Sequence, residues 1–314
     1  MAREVLFPQL IEATRPYCIK YGVPTMAPHV PTILLSLSAW VTIQLASSAL
    51  SPLIFKQSFA KMNRRTRINW DIHVVSFVHA SIVTPAAAAI WWKIRQQGGL
   101  EAKVHPLAAN RTYGYDYETG QVYAIALGYF IWDTVISLLY EGPAFIAHGV
   151  VCFIAFALAY SPVFMYDGLG FLMWEASTPF LNIHWFLDKL SMTGSLAQLI
   201  NAVFLLGAYV SVRLVFGVYN SFSWFKLANF PDVPQNPPLP MHIRAFYSVG
   251  NLTLNSLNFI WFRAMIRAVL KRFQTKPHAK EKLDAQKIEK FVVQGNGDEE
   301  FEEEAGIRRR TTKK

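Results

Sequence analysis

Cysteine is almost absent. Cys18 and Cys152 are the only two in 314 residues, and they lie far apart in different settings. That excludes a disulfide framework and a cysteine-based metal centre. Charge is scarce too: only 16% of residues are Asp, Glu, Lys or Arg, against about 25% in an ordinary soluble domain. No G-x-S-x-G, H-E-x-x-H, Walker or G-x-G-x-x-G motif occurs. Those absences weigh against the corresponding hydrolase, metalloprotease and nucleotide-binding chemistries, and neither a cofactor nor a metal is expected. The opening "MAREVLFPQLIEATRPY" has no continuous apolar core of a cleavable signal peptide. Internal repeats of the kind that build two-halved transporters are missing as well.

Long apolar runs are what the chain has instead. It is 53% hydrophobic, with a mean hydropathy of +0.23. About 20 apolar residues cross a bilayer core as a helix. The runs predict spans near 30–54, 70–93, 121–140, 144–161, 164–187, 196–220 and 244–270. Their continuity, without period-2 alternation, favours helices over a barrel. The expected fold is therefore an all-α integral membrane bundle of about seven transmembrane helices, six to eight, around a lipid-accessible cavity.

The +9 net charge would suit nucleic acid, but its positives sit beside the apolar runs and in the tail. Membrane lipids, not nucleic acid, are the expected partners, and the oligomeric state stays open. Lys56, Lys61, Arg64, Arg65 and Arg67 crowd one loop with no acid among them, which marks it as cytosolic. Seven spans then put the C-terminus on that side and the N-terminus opposite, in the lumen. The loop 94–120 becomes lumenal, with a sequon at Asn110. Three regions follow: a non-cytosolic segment 1–29, a membrane domain 30–271, and a charged tail 272–314 read as disordered.

Polar residues within the apolar runs need partners or a purpose, because each is costly in hydrocarbon. His73, Ser76 and His79 follow at three-residue steps, and Tyr129, Asp133, Ser137 and Tyr140 make a second stripe. His148 precedes Cys152 by one helical turn, and Arg244, Ser248, Asn251, Asn255 and Asn258 recur along the last span. In "GFLMWEASTPFLNIHWFLDK", Glu175, Thr178, Asn182 and Lys189 fall along one side while His184 points away. Pro179 there predicts a kink that turns the Glu175 carbonyl towards the cavity. The candidate lipid-binding set is His73, His79, Asp133, His148, Glu175, Asn182, Asn251 and Asn255.

The segments "NWDIHVVSFVHA", "GYFIWDTVI", "FIAHGVVC" and above all "WEASTPFLNIHWFL" resemble, in that order, those of the TLC domain family. That family is named for the translocating-chain-associated membrane protein, the longevity-assurance ceramide synthases and a ceroid-lipofuscinosis membrane protein. The similarity runs from about Ile68 to Val269, and its longest motif fits the TLC-domain-containing branch. It implies a multi-pass protein of the endoplasmic reticulum or another endomembrane that binds, senses or helps distribute lipid and so affects lipid homeostasis. It also implies an alternative, an N-acyltransferase making ceramide from acyl-CoA, with His148 as general base and Asp133 or Glu175 orienting it. The double histidine of the ceramide synthases reads "AHG" here, and "WEAST" stands where they carry a His-Asp pair. A non-enzymatic secretory-pathway adaptor is the remaining expectation.

Overall fold

The structure is a computed structural model that describes residues 7–231, 235 and 237–273. Among the described residues the regular secondary structure is all helical. A short helix α1 (Pro8–Lys20) and a 3-10 turn (Ala27–His29) lead into α2 (Val30–Ile54). One-turn α3 (Lys56–Phe59) connects to α4 (Arg64–Gln96), and α5 (Gly99–Ala102) and α6 (Pro106–Ala109) lie in the next loop. Then come α7 (Tyr117–Tyr140) and α8 (Pro143–Leu158). After them α9 (Met165–Leu172), a 3-10 segment (Met173–Ser177) and α10 (Thr178–Lys189) run on without a loop. α11 (Leu196–Tyr209) continues through a π segment (Val210–Val215) into α12 (Phe216–Asn229), and α13 (Met241–Phe273) closes the bundle.

Among the described residues, four stretches are long and apolar enough to cross a membrane: Ala27–Ile54, Arg64–Gln96, Tyr117–Tyr140 and Leu196–Asn229. Their outward faces carry Leu45, Leu199, Val203, Phe204, Val218 and Phe222 in the open, where a soluble protein would place polar groups. The seven expected spans correspond to α2, α4, α7, α8, α9–α10, α11–α12 and α13, with two corrections. The span expected at 144–161 is the 16-residue α8, short for a full crossing. The span expected at 164–187 is not one kinked helix. It breaks at Met173–Ser177, and Pro179 lies in the first turn of α10, where its missing N–H costs nothing. The Glu175 carbonyl is not freed either, because the Thr178 N–H donates to it. The tail 274–314 falls outside the described residues.

Local chemistry sets the helix starts. Asn63, Asp116 and Ser195 each accept a backbone N–H of the first turn, opening α4, α7 and α11. α4 has 33 residues and so is about 50 Å long, well beyond the ~30 Å hydrocarbon core. Both of its ends are tied to α7. Arg65 donates to the Tyr140 carbonyl at 2.9 Å, and Lys93 pairs with Glu118 at 2.6 Å. These two contacts hold α4 antiparallel to α7.

α2 and α7 approach closely at Gly128. A β-carbon there would stand 2.7 Å from Ser36 Oγ and 2.8 Å from the Ile33 carbonyl oxygen. The contact is reinforced by Ser36 Oγ donating to the Ile125 carbonyl at 2.8 Å, and by Trp132 Nε1 donating to Gln44 at 2.8 Å. Small residues let helix backbones meet in this way inside a membrane. α7 is the most buried of the four long apolar stretches, and it packs against α2, α4 and α8.

Candidate functional site

Two chambers lie along α7. The first lies between α4, α7, α8, α10 and α13, and the break between α9 and α10 supplies part of its wall. His73 and Ser76 from α4, Tyr129, Asp133 and Ser137 from α7, and Asn182 from α10 face into it. The second lies towards the opposite end of the bundle. Its walls are almost wholly apolar: Phe130, Val151, Ala155, Phe156, Leu172 and Leu254 among others. His148 and Glu175 line both chambers, so they stand at the junction between a polar compartment and an apolar one.

The polar chamber is held by specific bonds. His73 Nδ1 and Asn182 Oδ1 are 2.6 Å apart, so the ring nitrogen donates, and Asn182 Nδ2 donates to Ser76 Oγ at 3.3 Å. The His73 ring stacks on Trp185 with centroids 4.2 Å apart. These contacts fix α4 to α10 and set one wall. Across the chamber Arg213, in the π segment, is buried and lies 3.5 Å from Glu175 Oε1. Its guanidinium also donates to Ser177 Oγ at 3.0 Å, Thr178 Oγ1 at 3.2 Å and Asn258 Oδ1 at 3.1 Å. Most of its five N–H groups are thus committed to the protein itself.

Asp133 faces the open chamber, and Gly149 gives it room, since a β-carbon at 149 would come within 3.0 Å of Asp133 Oδ2. His148 reaches the junction from α8, with both ring nitrogens 3.9 Å from Cys152 Sγ. Among the described residues, no hydrogen bond joins His148 to Asp133 or to Glu175. No cluster of three or more His, Cys, Asp or Glu side chains suited to a metal occurs among them either.

The eight candidates named from the sequence divide unevenly. His73, Asp133, His148, Glu175 and Asn182 share the polar chamber, and Asn251 lines the apolar one. His79 lines neither. It is fully buried behind Tyr129, stacked on that ring at 3.7 Å and set edge-on to Trp40. Asn255 also lies outside both chambers. It binds Asn251 and donates to Ser221 Oγ at 2.9 Å, joining α13 to α12. Lys189 turns instead to Asp188, at 3.0 Å, and to the Trp185 ring. Asn110 is exposed at the end of α6 and accepts the Tyr113 N–H at 2.9 Å.

Arg213 is the residue that sequence reasoning passed over. A lone arginine inside "LLGAYVSVRLVFG" was the available signal, because an intramembrane cation demands a partner. The pair of half-buried Arg111 and buried Asp167 was missed as well. Arg111 Nε donates to both Asp167 carboxylate oxygens at 3.1 Å, and its outer nitrogen reaches Ser223 at 3.0 Å. That pair lies at the far end of the bundle and ties the 97–116 loop to α9 and α12.

Comparison with known proteins agrees with this architecture. The TLC domain family matches residues 69–267. An uncharacterized TLC domain-containing protein of Schizosaccharomyces pombe is 34% identical over 84% of the chain and 86% of its own length. Topoisomerase I damage affected protein 4 of Saccharomyces cerevisiae is 27% identical, over 82% of the chain and 92% of its own length. TLC domain-containing protein 4-A of Xenopus laevis is 23% identical, over 77% and 92%.

Proposed function

Because the chain belongs to the TLC domain family, we propose that it binds a membrane lipid within the bundle and thereby senses or helps distribute it, affecting lipid homeostasis. The observation that carries this reading is the meeting of a polar chamber and an apolar chamber at His148 and Glu175. A membrane lipid has the same division along its length. Its head group would lie in the polar chamber, where Asp133 offers an acceptor for a hydroxyl or amine and His148 a second polar contact. An acyl chain would lie in the apolar chamber.

Placement in the endoplasmic reticulum or another endomembrane, with a lumenal N-terminus and a cytosolic C-terminus, belongs to the same proposal. The charge distribution supports that orientation: the basic loop at Lys56, Lys61 and Arg64 lies at the end of the bundle that also carries Arg263 and Arg267.

The test is mass spectrometry of lipid retained by the purified full-length protein, compared with Asp133→Asn and with a detergent blank. Retention of a defined lipid, reduced in the variant, is the expected result. A folded wild-type protein that retains nothing above the blank would sink the reading. Acyl transfer is decided in parallel, by offering the same preparation acyl-CoA and a sphingoid base. Turnover abolished by His148→Ala in a folded protein would make it an enzyme, and the absence of turnover beside retained lipid favours binding.

A further inference from the structure

The apolar chamber runs from the junction towards a cluster of aromatic side chains. By helix register its junction end is marked by Phe130, His148 and Glu175, and its far end by Ala159, Phe164, Trp224 and Tyr247. From His148 to Ala159 along α8 the distance is about 16 Å, close to half of a hydrocarbon core of roughly 30 Å. The chamber therefore has the depth of one leaflet, which is the depth of one acyl chain.

Three aromatic rings meet at that far end. Phe164 and Trp224 centroids are 5.5 Å apart, Phe164 and Tyr247 5.6 Å, and Trp224 and Tyr247 6.1 Å, largely edge-to-face. The trio is braced from several sides. Tyr247 Oη donates to the Ala155 carbonyl at 2.7 Å, which fixes α13 to α8. Phe164 is held in the left-handed region at φ 55°, uncommon for a bulky residue, and its N–H donates to the Thr112 carbonyl at 2.8 Å. Trp224 is almost completely buried. A braced aromatic cluster of this kind resists displacement by a ligand chain.

We propose that Phe164, Trp224 and Tyr247 form the floor of the acyl-chain chamber and set the length of the chain it accepts. This inference rests on the lipid-binding reading above. Trp224 is the principal determinant, since it carries the largest ring of the three and can be shortened without disturbing the Tyr247 or Phe164 backbone bonds. Ala155, half-buried on the wall between junction and floor, is the position where added bulk shortens the space.

The experiment uses the full-length protein. It is incubated with vesicles holding equal amounts of phosphatidylcholines, diacylglycerols and fatty acids, each in short-, medium- and long-chain forms, then repurified and analysed for retained chains. Trp224→Ala is expected to shift the retained distribution towards longer chains and Ala155→Leu towards shorter ones, with the preferred head group unchanged in both. A structural role alone would not move the two variants in opposite directions. Should Trp224→Ala fail to fold, the shift in Ala155→Leu decides. Retained lipid with an unaltered chain distribution would overturn the floor while leaving lipid binding intact. Retention of none of the offered lipids by the wild-type protein would overturn both.

Discussion

Arg213 and Glu175 face one another at 3.5 Å across the wall of the polar chamber, both largely shielded from solvent. The arginine arrives from a π segment and the glutamate from a 3-10 segment, so two irregular turns are matched to one ion pair. Such irregular turns inside helices recur at functional sites. Removing one partner strands the other charge in a poorly solvated place, at a cost of about 3–5 kcal/mol, whereas replacing both with apolar groups is often neutral. Glu175→Leu and Arg213→Met alone should each lower the unfolding temperature markedly in detergent. The double variant should regain most of the loss and yet retain less lipid than the wild-type protein. Thermal unfolding and lipid retention measured on the same four proteins test this. Losses that simply add in the double variant would show that the two residues are not coupled.

A pH dependence is expected in the loop between α4 and α7. His105 is buried there, its Nδ1 accepts the Leu107 N–H at 3.2 Å to start α6, and Nε2 lies 4.0 Å from Asp116. Burial holds its pKa below the ordinary 6.5, more strongly than Asp116 raises it, and Lys93 adds to the lowering. A folded-state value below the unfolded one means that the stabilisation is complete above 6.5 and is lost as the pH falls through the folded pKa. Protonation also removes the acceptor that caps α6. Backbone hydrogen exchange across 97–116 should therefore accelerate as the pH falls from above neutrality to about 5, after correction for the intrinsic rate. His105→Asn keeps an acceptor for the cap and should flatten the profile. An equally steep profile in that variant would place the titrating group elsewhere.

Much of this was legible because membrane helices advertise themselves. The bounds of α2 coincide with the apolar run 30–54, and Tyr129, Asp133 and Ser137 of the α7 stripe face one chamber, as their four-residue spacing implies, while Tyr140 of the same stripe does not line it. His73 and His79 show where spacing misled. Six residues at about 100° each leave them about 120° apart, so one reaches the chamber while the other stacks behind Tyr129. The break at Met173–Ser177 and the π segment at Val210–Val215 were not legible, because the tertiary contacts that stabilise them, through Arg213, join residues remote in sequence. The apolar chamber escaped notice for a related reason. Its walls are ordinary hydrophobic residues, and only their arrangement leaves a space between them.

The Gly128 contact leaves no room for a side chain. A side chain at 128 must displace backbone atoms of α2, because the Ile33 carbonyl oxygen and the Leu37 nitrogen each lie 2.8 Å from the position of its β-carbon. Neither can rotate aside as a flexible side-chain tip would. Forcing α2 away also lengthens the Ser36 to Ile125 and Trp132 to Gln44 bonds, which sit on the same interface. Overpacking of this kind costs about 1–3 kcal/mol, and two weakened interhelical bonds add to it. Gly128→Val should therefore lower the unfolding temperature well below that of Gly207→Val, since a β-carbon at Gly207 has nothing within 4 Å. Both substitutions place a β-branched residue in a helix of the bundle, so the comparison cancels the change in helix propensity. Equal losses at the two positions would show that propensity, not the α2–α7 contact, governs the effect.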